Sequence, residues 1–550
     1  MTQPESVMRP ASLRVLLGAT TLLALGGCAG AAPASAPAAR PAAGVRPVTR
    51  AERTNYAETS THGDVITFLD SLSLVGASFH RGSLARSTTG RDVPFVVASR
   101  PLVRTPGDAR ALGRPIVYVQ GNIHGGEIEG KEALLALLRD LLADPKPNVL
   151  DSLVLVAVPI YNPDGNDLFG PQEKNRGEQN GPASIGERAN GQGLDLNRDY
   201  VKAAAPETRG ALRFLDEWSP DVFVDLHTTN GSYHGYALTY APSLLPAAGM
   251  AGIAEGGAWA RDVLLPELRR RMRARHRLET FDYGNFSQQY GSDVNTDTTK
   301  EAWYSYDHRP RFGTNYYGLR GGVAVLAEAY SHDPLERRVR ATRLFVRELL
   351  SLAAEQRARL TSRGSPPPSG TPIPIRATLT RTPYVGEVIA EDLARTEDPA
   401  QVTEPGVPPG LRRTGRFRTL RIPVHDRFDA TLSRPAPAAY LLGAADTAAV
   451  RLLRLHGLRV DSITAPRAAE LEIFRADSVS IAPRPFQGHR EVRLDGSWRP
   501  SSGTLPSGAW LVPVAQPLGL LATYLLEPES DDGFVTWGIL PVERAAVRVR

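Results

Sequence analysis

The chain has 550 residues, which is too long for one ordinary domain and predicts two folded domains with additional tails. Hydrophobic residues make up 42% and charged residues 22%, values that are ordinary for a globular protein with a sizeable core. The net charge of +5 is small for this length, so nucleic-acid binding is not expected.

The N-terminal segment predicts export and lipid anchoring. Basic residues precede an apolar stretch over 15–25, a pattern typical of a secretory signal peptide and too short to span a membrane. The sequence LGGC at 25–28 resembles a bacterial lipobox, and Cys28 is the only cysteine. We therefore predict a signal peptide over 1–27 and lipidation at Cys28, which would anchor the exported protein to a bacterial membrane. A plain signal peptide with an incidental cysteine is the alternative.

Two segments of biased composition divide the rest of the chain. Residues 28–50 are rich in Ala and Pro and predict a tether, and the Ser/Pro/Gly-rich segment 362–374 predicts a linker. The expected domains are therefore 51–361 and 375–550.

Apolar strands and amphipathic helices alternate along the first domain. The expected elements, in chain order, are a helix at 64–73, a hairpin at 83–99, a strand at 115–121, a helix at 127–144, strands at 152–162 and 221–227, and a long helix at 333–360. Continuous apolar strands between helices predict an α/β fold with a mixed, largely parallel sheet sandwiched by helices. The second domain has short strand-like runs, such as GAWLVPV at 508–514 and VTWGIL at 535–540, and one helical stretch at 446–458, which predicts a smaller mixed or mainly β module.

Residues that can bind a metal follow three of the expected strands. His124 and Glu127 follow the strand 115–121, and His227 ends the strand 221–227. Glu328 lies at the end of another apolar run. Ligands of α/β proteins collect at the carboxyl ends of strands, and two histidines with one carboxylate form an open zinc set. A further carboxylate beside a zinc-bound water can serve as general base.

Each of these residues also has a structural interpretation. Glu127 is a favourable charge in the first turn of a helix, and the glycines after His124 suit a tight turn. His227 alone is compatible with a buried histidine of the core. The placement of all of them at strand ends is the argument for a metal site.

Five separated motifs resemble the zinc carboxypeptidase family of metallopeptidases, in the family's order. They are HGGE at 124–127, YNPDGN at 161–166, GLDLNRDY at 193–200, DLHTTNGSYHGY at 225–236 and the stretch 309–334. The resemblance implies an α/β/α sandwich and one Zn²⁺ held by His124, Glu127 and His227. It also implies that Glu328 activates the zinc-bound water and passes the proton to the leaving amine.

The resemblance further implies residues that recognise a peptide substrate with a free C-terminal carboxylate. Asn197 and Arg198 match the family's carboxylate-binding pair, and guanidinium binds carboxylate through two hydrogen bonds. Arg176 is the nearest match to the arginine that stabilises the tetrahedral intermediate, with a solvated arginine as the alternative. Tyr306 is a candidate for the tyrosine that caps the substrate, although Tyr316 and Tyr317 also precede Glu328.

The leading hypothesis is thus a zinc-dependent metallocarboxypeptidase that hydrolyses C-terminal peptide bonds at a bacterial membrane. An amidase that acts on cell-wall or other non-protein amides is the alternative within enzymes. An inactive binding lipoprotein is the alternative outside them, and the retention of all ligands and Glu328 argues against it. Residues 375–550 lie outside the family's domain and resemble the C-terminal extension of some bacterial relatives.

Overall fold

A computed structural model describes residues 46–286, 300–360 and 365–550. Cys28, the signal peptide and most of the tether lie outside the described residues. Within those ranges, no helix combines the length and apolar character that crossing a membrane requires.

The first part of the described chain contains most of the helices. The helices are α1 (Arg50–Arg53), α2 (His62–Leu74), α3 (Pro106–Ala111), α4 (Glu129–Ala143), α5 (Pro163–Asp167), α6 (Gln172–Asn175), α7 (Pro206–Trp218), α8 (Gly256–Trp259), α9 (Leu265–His276), α10 (Gly313–Leu319), α11 (Leu335–Glu355), α12 (Arg357–Leu360), α13 (Thr447–Leu455) and α14 (Gly519–Leu526).

Strands occur in both parts. Before residue 360 they are β1 (His80–Arg86), β2 (Asp92–Ala98), β3 (Ile116–Gly121), β4 (Val154–Val158), β5 (Gly170–Pro171), β6 (Ser184–Ile185), β7 (Val222–Thr228), β8 (Leu238–Pro242), β9 (Thr280–Asp282), β10 (Trp303–Tyr304) and β11 (Val323–Ala329). After residue 365 they are β12 (Pro372–Leu379), β13 (Tyr384–Arg395), β14 (Leu411–His425), β15 (Phe428–Pro435), β16 (Ala439–Leu442), β17 (Asp461–Ser462), β18 (Arg467–Ile481), β19 (Val492–Leu505), β20 (Trp510–Pro513) and β21 (Val547–Val549).

An eight-stranded mixed sheet forms the centre, in the order β1-β2-β4-β3-β7-β11-β8-β9. The four middle strands β4, β3, β7 and β11 pair in parallel, and β8 is antiparallel to β11. All residues of β3, β7 and β11 are buried, which agrees with their continuous apolar sequences. The predicted α/β fold with a mixed, largely parallel sheet is confirmed.

Helices cover both faces of this sheet because alternate strand side chains point to opposite sides. On one face, Val117 and Val119 of β3 pack in a core with residues of α2, α4, α9 and α11. On the other face, Tyr118 packs in a core with residues of α7 and α10, and that core continues into α13 and α14. The C-terminal residues therefore share a hydrophobic core with the sheet, and the residues that the structure describes belong to one compact unit.

The C-terminal region is rich in β-structure, as the sequence predicts. It contributes a six-stranded sheet, in the order β17-β20-β16-β21-β18-β19, and the pairs β13–β14 and β12–β15. Two details differ from expectation. The run VTWGIL at 535–540 forms mostly buried turns rather than a strand, and α14 is a helix in addition to α13.

Candidate active site

The three potential metal ligands meet at the carboxyl ends of β3 and β7. These strands pair in parallel, with Gly121 opposite Leu226, so the turn after β3 lies beside His227. His124 and Glu127 occupy that turn, before α4 begins at Glu129. One ligand atom from each of His124, Glu127 and His227 lies within 4.8 Å of the others, and all three side chains are buried.

The glutamate lies between the two imidazoles. Its Oε1 is 2.9 Å from His124 Nδ1, and its Oε2 is 2.9 Å from His227 Nδ1. The backbone N–H of Thr228 also donates to Oε2. Burial opposes ionisation of Glu127, but His124 and Arg176 hold its pKa well below the usual range. Two imidazole nitrogens and an ionised carboxylate at one point are a donor set that fits Zn²⁺.

The opposite nitrogen of each imidazole contacts a further carboxylate. Asp195 Oδ1 lies 3.0 Å from His124 Nε2, and Asp225 Oδ2 lies 3.0 Å from His227 Nε2. Such carboxylate–histidine pairs fix the orientation and tautomer of a ligating imidazole. The sequence motifs contain both aspartates, but their roles were missed. Asp225 could have been found because it precedes His227 by two residues, which places both on one face of β7.

Glu328 faces the same cavity from the next strand. It lies directly opposite His227 in the parallel register of β7 and β11. Its side chain is buried, and burial raises its pKa to about 8. The cavity is lined by the three potential ligands and by Arg188, Asn197, Arg198, Thr228, Asn230, Tyr283, Tyr306, Phe312, Thr314, Leu326 and Glu328.

Asn197 and Arg198 reach this cavity from a single 3₁₀ turn at Leu196–Arg198. The side chain of Asp195 caps this turn by accepting the Asn197 N–H. Asn197 Oδ1 accepts the Gly313 N–H at 2.9 Å, and the Arg198 guanidinium lies 3.9 Å from the centre of the Phe312 ring. The turn thus presents a guanidinium beside the potential metal ligands.

Two arginines donate hydrogen bonds to Glu127, and only one of the two lines the cavity. Arg176 donates from Nη1 to Glu127 Oε1 at 2.6 Å and from Nη2 to the Thr229 carbonyl at 3.0 Å, and it does not line the cavity. Arg188 lines the cavity and donates to Asp195 at 2.9 Å and to Glu127 at 3.3 Å. Sequence reasoning missed Arg188, which lies outside the recognised motifs.

Comparison with known proteins identifies the family of this site. Residues 67–309 match the sequence profile of Peptidase_M14, the zinc carboxypeptidases. The matched residues include His124, Glu127 and His227 in the geometry described above. The match assigns a zinc carboxypeptidase-family domain to residues 67–309, and the chain is a metallopeptidase.

Relatives of this metallopeptidase include fungal and animal proteins. Carboxypeptidase 2 of Trichophyton equinum is 23% identical over 492 residues, covering 84% of this chain and 81% of the relative. Human carboxypeptidase Z is 33% identical over 141 residues, which is 24% of this chain and 20% of that protein. The fungal similarity thus extends well beyond residues 67–309.

Solved structures give weaker matches. The metallo-carboxypeptidase from Pseudomonas aeruginosa in complex with (2-guanidinoethylmercapto)succinic acid is 18% identical, with a TM-score of 0.37, and the match covers 55% of this chain and 70% of that one. The metallo-carboxypeptidase from Burkholderia cenocepacia has a TM-score of 0.38 at 16% identity, over 54% of this chain and 70% of that one.

The remaining candidate site residue of this metallopeptidase is Tyr306, the tyrosine predicted to cap the substrate. It lines the cavity, is 5% exposed, and its hydroxyl lies 3.5 Å from Asn315 Oδ1. Its ring packs edge-on against Tyr283 and Phe312. By contrast, Tyr316 and Tyr317 do not line the cavity and pack in the core beneath the sheet.

Proposed function

We propose that this metallopeptidase is a zinc metallocarboxypeptidase that removes C-terminal residues from peptides. One observation carries the proposal: a single cavity is lined by the His-Glu-His set, by Glu328, and by the Asn197–Arg198 pair. A hydrolytic centre next to a guanidinium fits an amide bond one residue from a free carboxylate.

Zn²⁺ held by His124, Glu127 and His227 would act as a Lewis acid toward water and the scissile carbonyl. The residues of the chain would do the rest. Asp195 and Asp225 would orient the two imidazoles, as their 3.0 Å contacts indicate. Arg176 would support the Glu127 carboxylate through its 2.6 Å hydrogen bond to Oε1.

Glu328 would act first as general base and then as general acid. Its carboxylate would accept a proton from the attacking water and donate that proton to the leaving amine nitrogen. Its position opposite His227 in the sheet supports this role, since it faces the space beside the metal-binding atoms.

The cationic groups would bind the substrate. Arg198 and Asn197 would bind the terminal carboxylate, and Tyr306, which lines the same cavity, would cap it. Arg176 is the sequence-based candidate for stabilising the developing oxyanion. We propose that Arg188 also serves in this role, because it lines the cavity. Arg176 is one step further away, since it contacts Glu127 and the Thr229 carbonyl.

Glu328→Gln tests the proposed chemistry. The variant should keep one zinc per chain by elemental analysis and lose hydrolysis of a free-carboxylate peptide by about 10²–10⁴-fold. His227→Ala should lose stoichiometric zinc as well as activity. Glu301→Gln, at an exposed glutamate, is the matched control and should behave as wild type. Near-wild-type turnover by Glu328→Gln would exclude it as the base, and full zinc occupancy in His227→Ala would exclude that ligand.

The substrate class needs its own measurement. Mass spectrometry of a mixed peptide library should show sequential loss of C-terminal residues, and C-terminally amidated copies should resist cleavage. Internal cleavage, or turnover of cell-wall amides alone, would contradict carboxypeptidase activity while leaving the metal site intact.

We also propose that Cys28 carries a lipid that anchors the exported enzyme to a bacterial membrane. The sequence LGGC and the preceding apolar stretch support the proposal. Cys28→Ser should move the protein from the membrane fraction to the soluble fraction of the envelope. Continued membrane retention of this variant would indicate a different anchor.

A further inference from the structure

We propose that the C-terminal region completes the carboxylate-binding side of the active site and that Gln487 is a positioning residue for Arg198. This inference rests on the proposed function of Asn197 and Arg198. It assigns a role to a region that lies outside the family profile, which ends at residue 309.

The contact that carries the inference is a hydrogen bond between distant segments. The side-chain Oε1 of Gln487 accepts the backbone N–H of Asp195 at 2.9 Å. Asp195 is the cap of the 3₁₀ turn that carries Asn197 and Arg198, and its carboxylate contacts His124. A residue of the C-terminal region therefore holds the first residue of the segment that presents the guanidinium.

The backbone at Gln487 is shaped for this contact. Phe486 and His489 exchange two backbone hydrogen bonds across Gln487 and Gly488, which closes a two-residue turn between β18 and β19. Both turn residues have positive φ, 50° for Gln487 and 79° for Gly488. Such turns favour Asn or Gly at the first position, so glutamine there is a less favourable choice for the turn itself. The side chain of Gln487 is used for a contact outside the turn.

A second link from the same region holds the residue that precedes Phe312, which lines the cavity. Asp532, which is fully buried, accepts the Arg311 backbone N–H at 2.6 Å and its Nε at 2.9 Å. Glu491 lies 2.5 Å from the Arg311 guanidinium. Arg311 directly precedes Phe312, whose ring lies against the Arg198 guanidinium.

A third link reaches the carbonyl of Arg198 itself. The Lys202 ammonium donates to that carbonyl and lies 4.0 Å from the centre of the Trp537 ring. Trp537 donates from Nε1 to Asp532, and its carbonyl oxygen lies 2.8 Å from Nδ1 of His489 in the Gln487 turn. The three links thus form one connected set that surrounds Arg198 from the C-terminal side.

The test compares single variants of the full-length zinc enzyme. Gln487→Gly removes the acceptor and relaxes the positive-φ turn, so any loss of function comes from the missing contact and not from new strain. We expect KM for a free-carboxylate peptide to rise about 3- to 10-fold with kcat and zinc content close to wild type. Gln487→Glu keeps an acceptor oxygen and should restore most of the affinity. Arg484→Ala, at an exposed residue of the same connection, is the control and should be unchanged.

A double variant decides whether the effect passes through Arg198. On an Arg198→Ala background, Gln487→Gly should change KM by less than about twofold, because the guanidinium that it positions is gone. The same loss on both backgrounds, or a fall in kcat and zinc content without a change in KM, would overturn the proposal.

Amide hydrogen exchange provides a readout that does not depend on turnover. The Asp195 amide should exchange faster in Gln487→Gly than in wild type, and Gln487→Glu should restore protection. Unchanged exchange and unchanged KM in Gln487→Gly would overturn the positioning role alone. A wild-type enzyme that cleaves no peptide would instead contradict the proposed function, and exchange at Asp195 would still report on the contact.

Discussion

The central strands and the C-terminal hairpins differ in how their sequences relate to their structures. Every residue of β3, β7 and β11 is buried, whereas most residues of β18 and of β14 are partly or fully exposed. The buried strands read as apolar runs, and their ends carry the metal-binding residues. The exposed hairpins have mixed polar sequences, yet the turn of one of them contacts the active site. Burial therefore makes a strand recognisable, but it does not decide which strands matter for function.

The largest expected effect is on the free energy of unfolding, when a side chain in the core against the central sheet is truncated. Phe345 of α11 is fully buried in the core on the α4 and α11 face of the sheet, so Phe345→Ala should lower the free energy of unfolding by about 3–5 kcal/mol. Phe417 of β14 is 52% exposed, and Phe417→Ala should cost less than about 1 kcal/mol. Denaturant unfolding of both variants measures the difference. If both variants lose the same free energy of unfolding, the difference in burial between Phe345 and Phe417 does not govern stability.

An intermediate effect is expected on zinc affinity. Asp225→Asn should weaken zinc binding by about 10- to 100-fold, because the carboxylate that contacts His227 Nε2 is replaced by a neutral amide. Asp477→Asn, at an exposed aspartate of β18, should leave zinc affinity unchanged. Competition with a chelator of known affinity gives both values. If Asp225→Asn binds zinc with wild-type affinity, the Asp225 carboxylate does not strengthen zinc binding by His227.

The smallest expected effect on stability comes from a hydrogen bond between the part that contains the central sheet and the C-terminal region. The Tyr316 hydroxyl lies 2.8 Å from His456 Nδ1 in the shared core. Tyr316→Phe should lower the free energy of unfolding by about 0.5–1.5 kcal/mol, because a buried nitrogen loses its partner.

Calorimetry of the same variant should show one transition, since residues of both regions pack in one core. A separate transition for the C-terminal region would show that the regions fold independently and would break the link between them.

Much of the central region was predictable from the sequence. The apolar runs located β3, β4 and β7 within a few residues, because strands buried on both faces cannot tolerate polar side chains. The joint placement of His124, Glu127 and His227 at strand ends followed from the parallel arrangement. The C-terminal strands were less predictable, because exposed hairpins lack an apolar run. The run at 535–540 was misjudged because its apolar residues are buried through turns.

The sequence by itself determined the fold class, through its alternating apolar strands and helices. It also indicated the potential metal ligands, Glu328 and the Asn197–Arg198 pair as candidates, since each lies in a local pattern with a defined chemical purpose. Only the tertiary structure decided that Arg188 faces the cavity while Arg176 lies against Glu127. It also decided that Gln487 reaches Asp195, across 292 residues of chain. Contacts of this kind depend on how separate elements pack against one another, and no local sequence pattern encodes them.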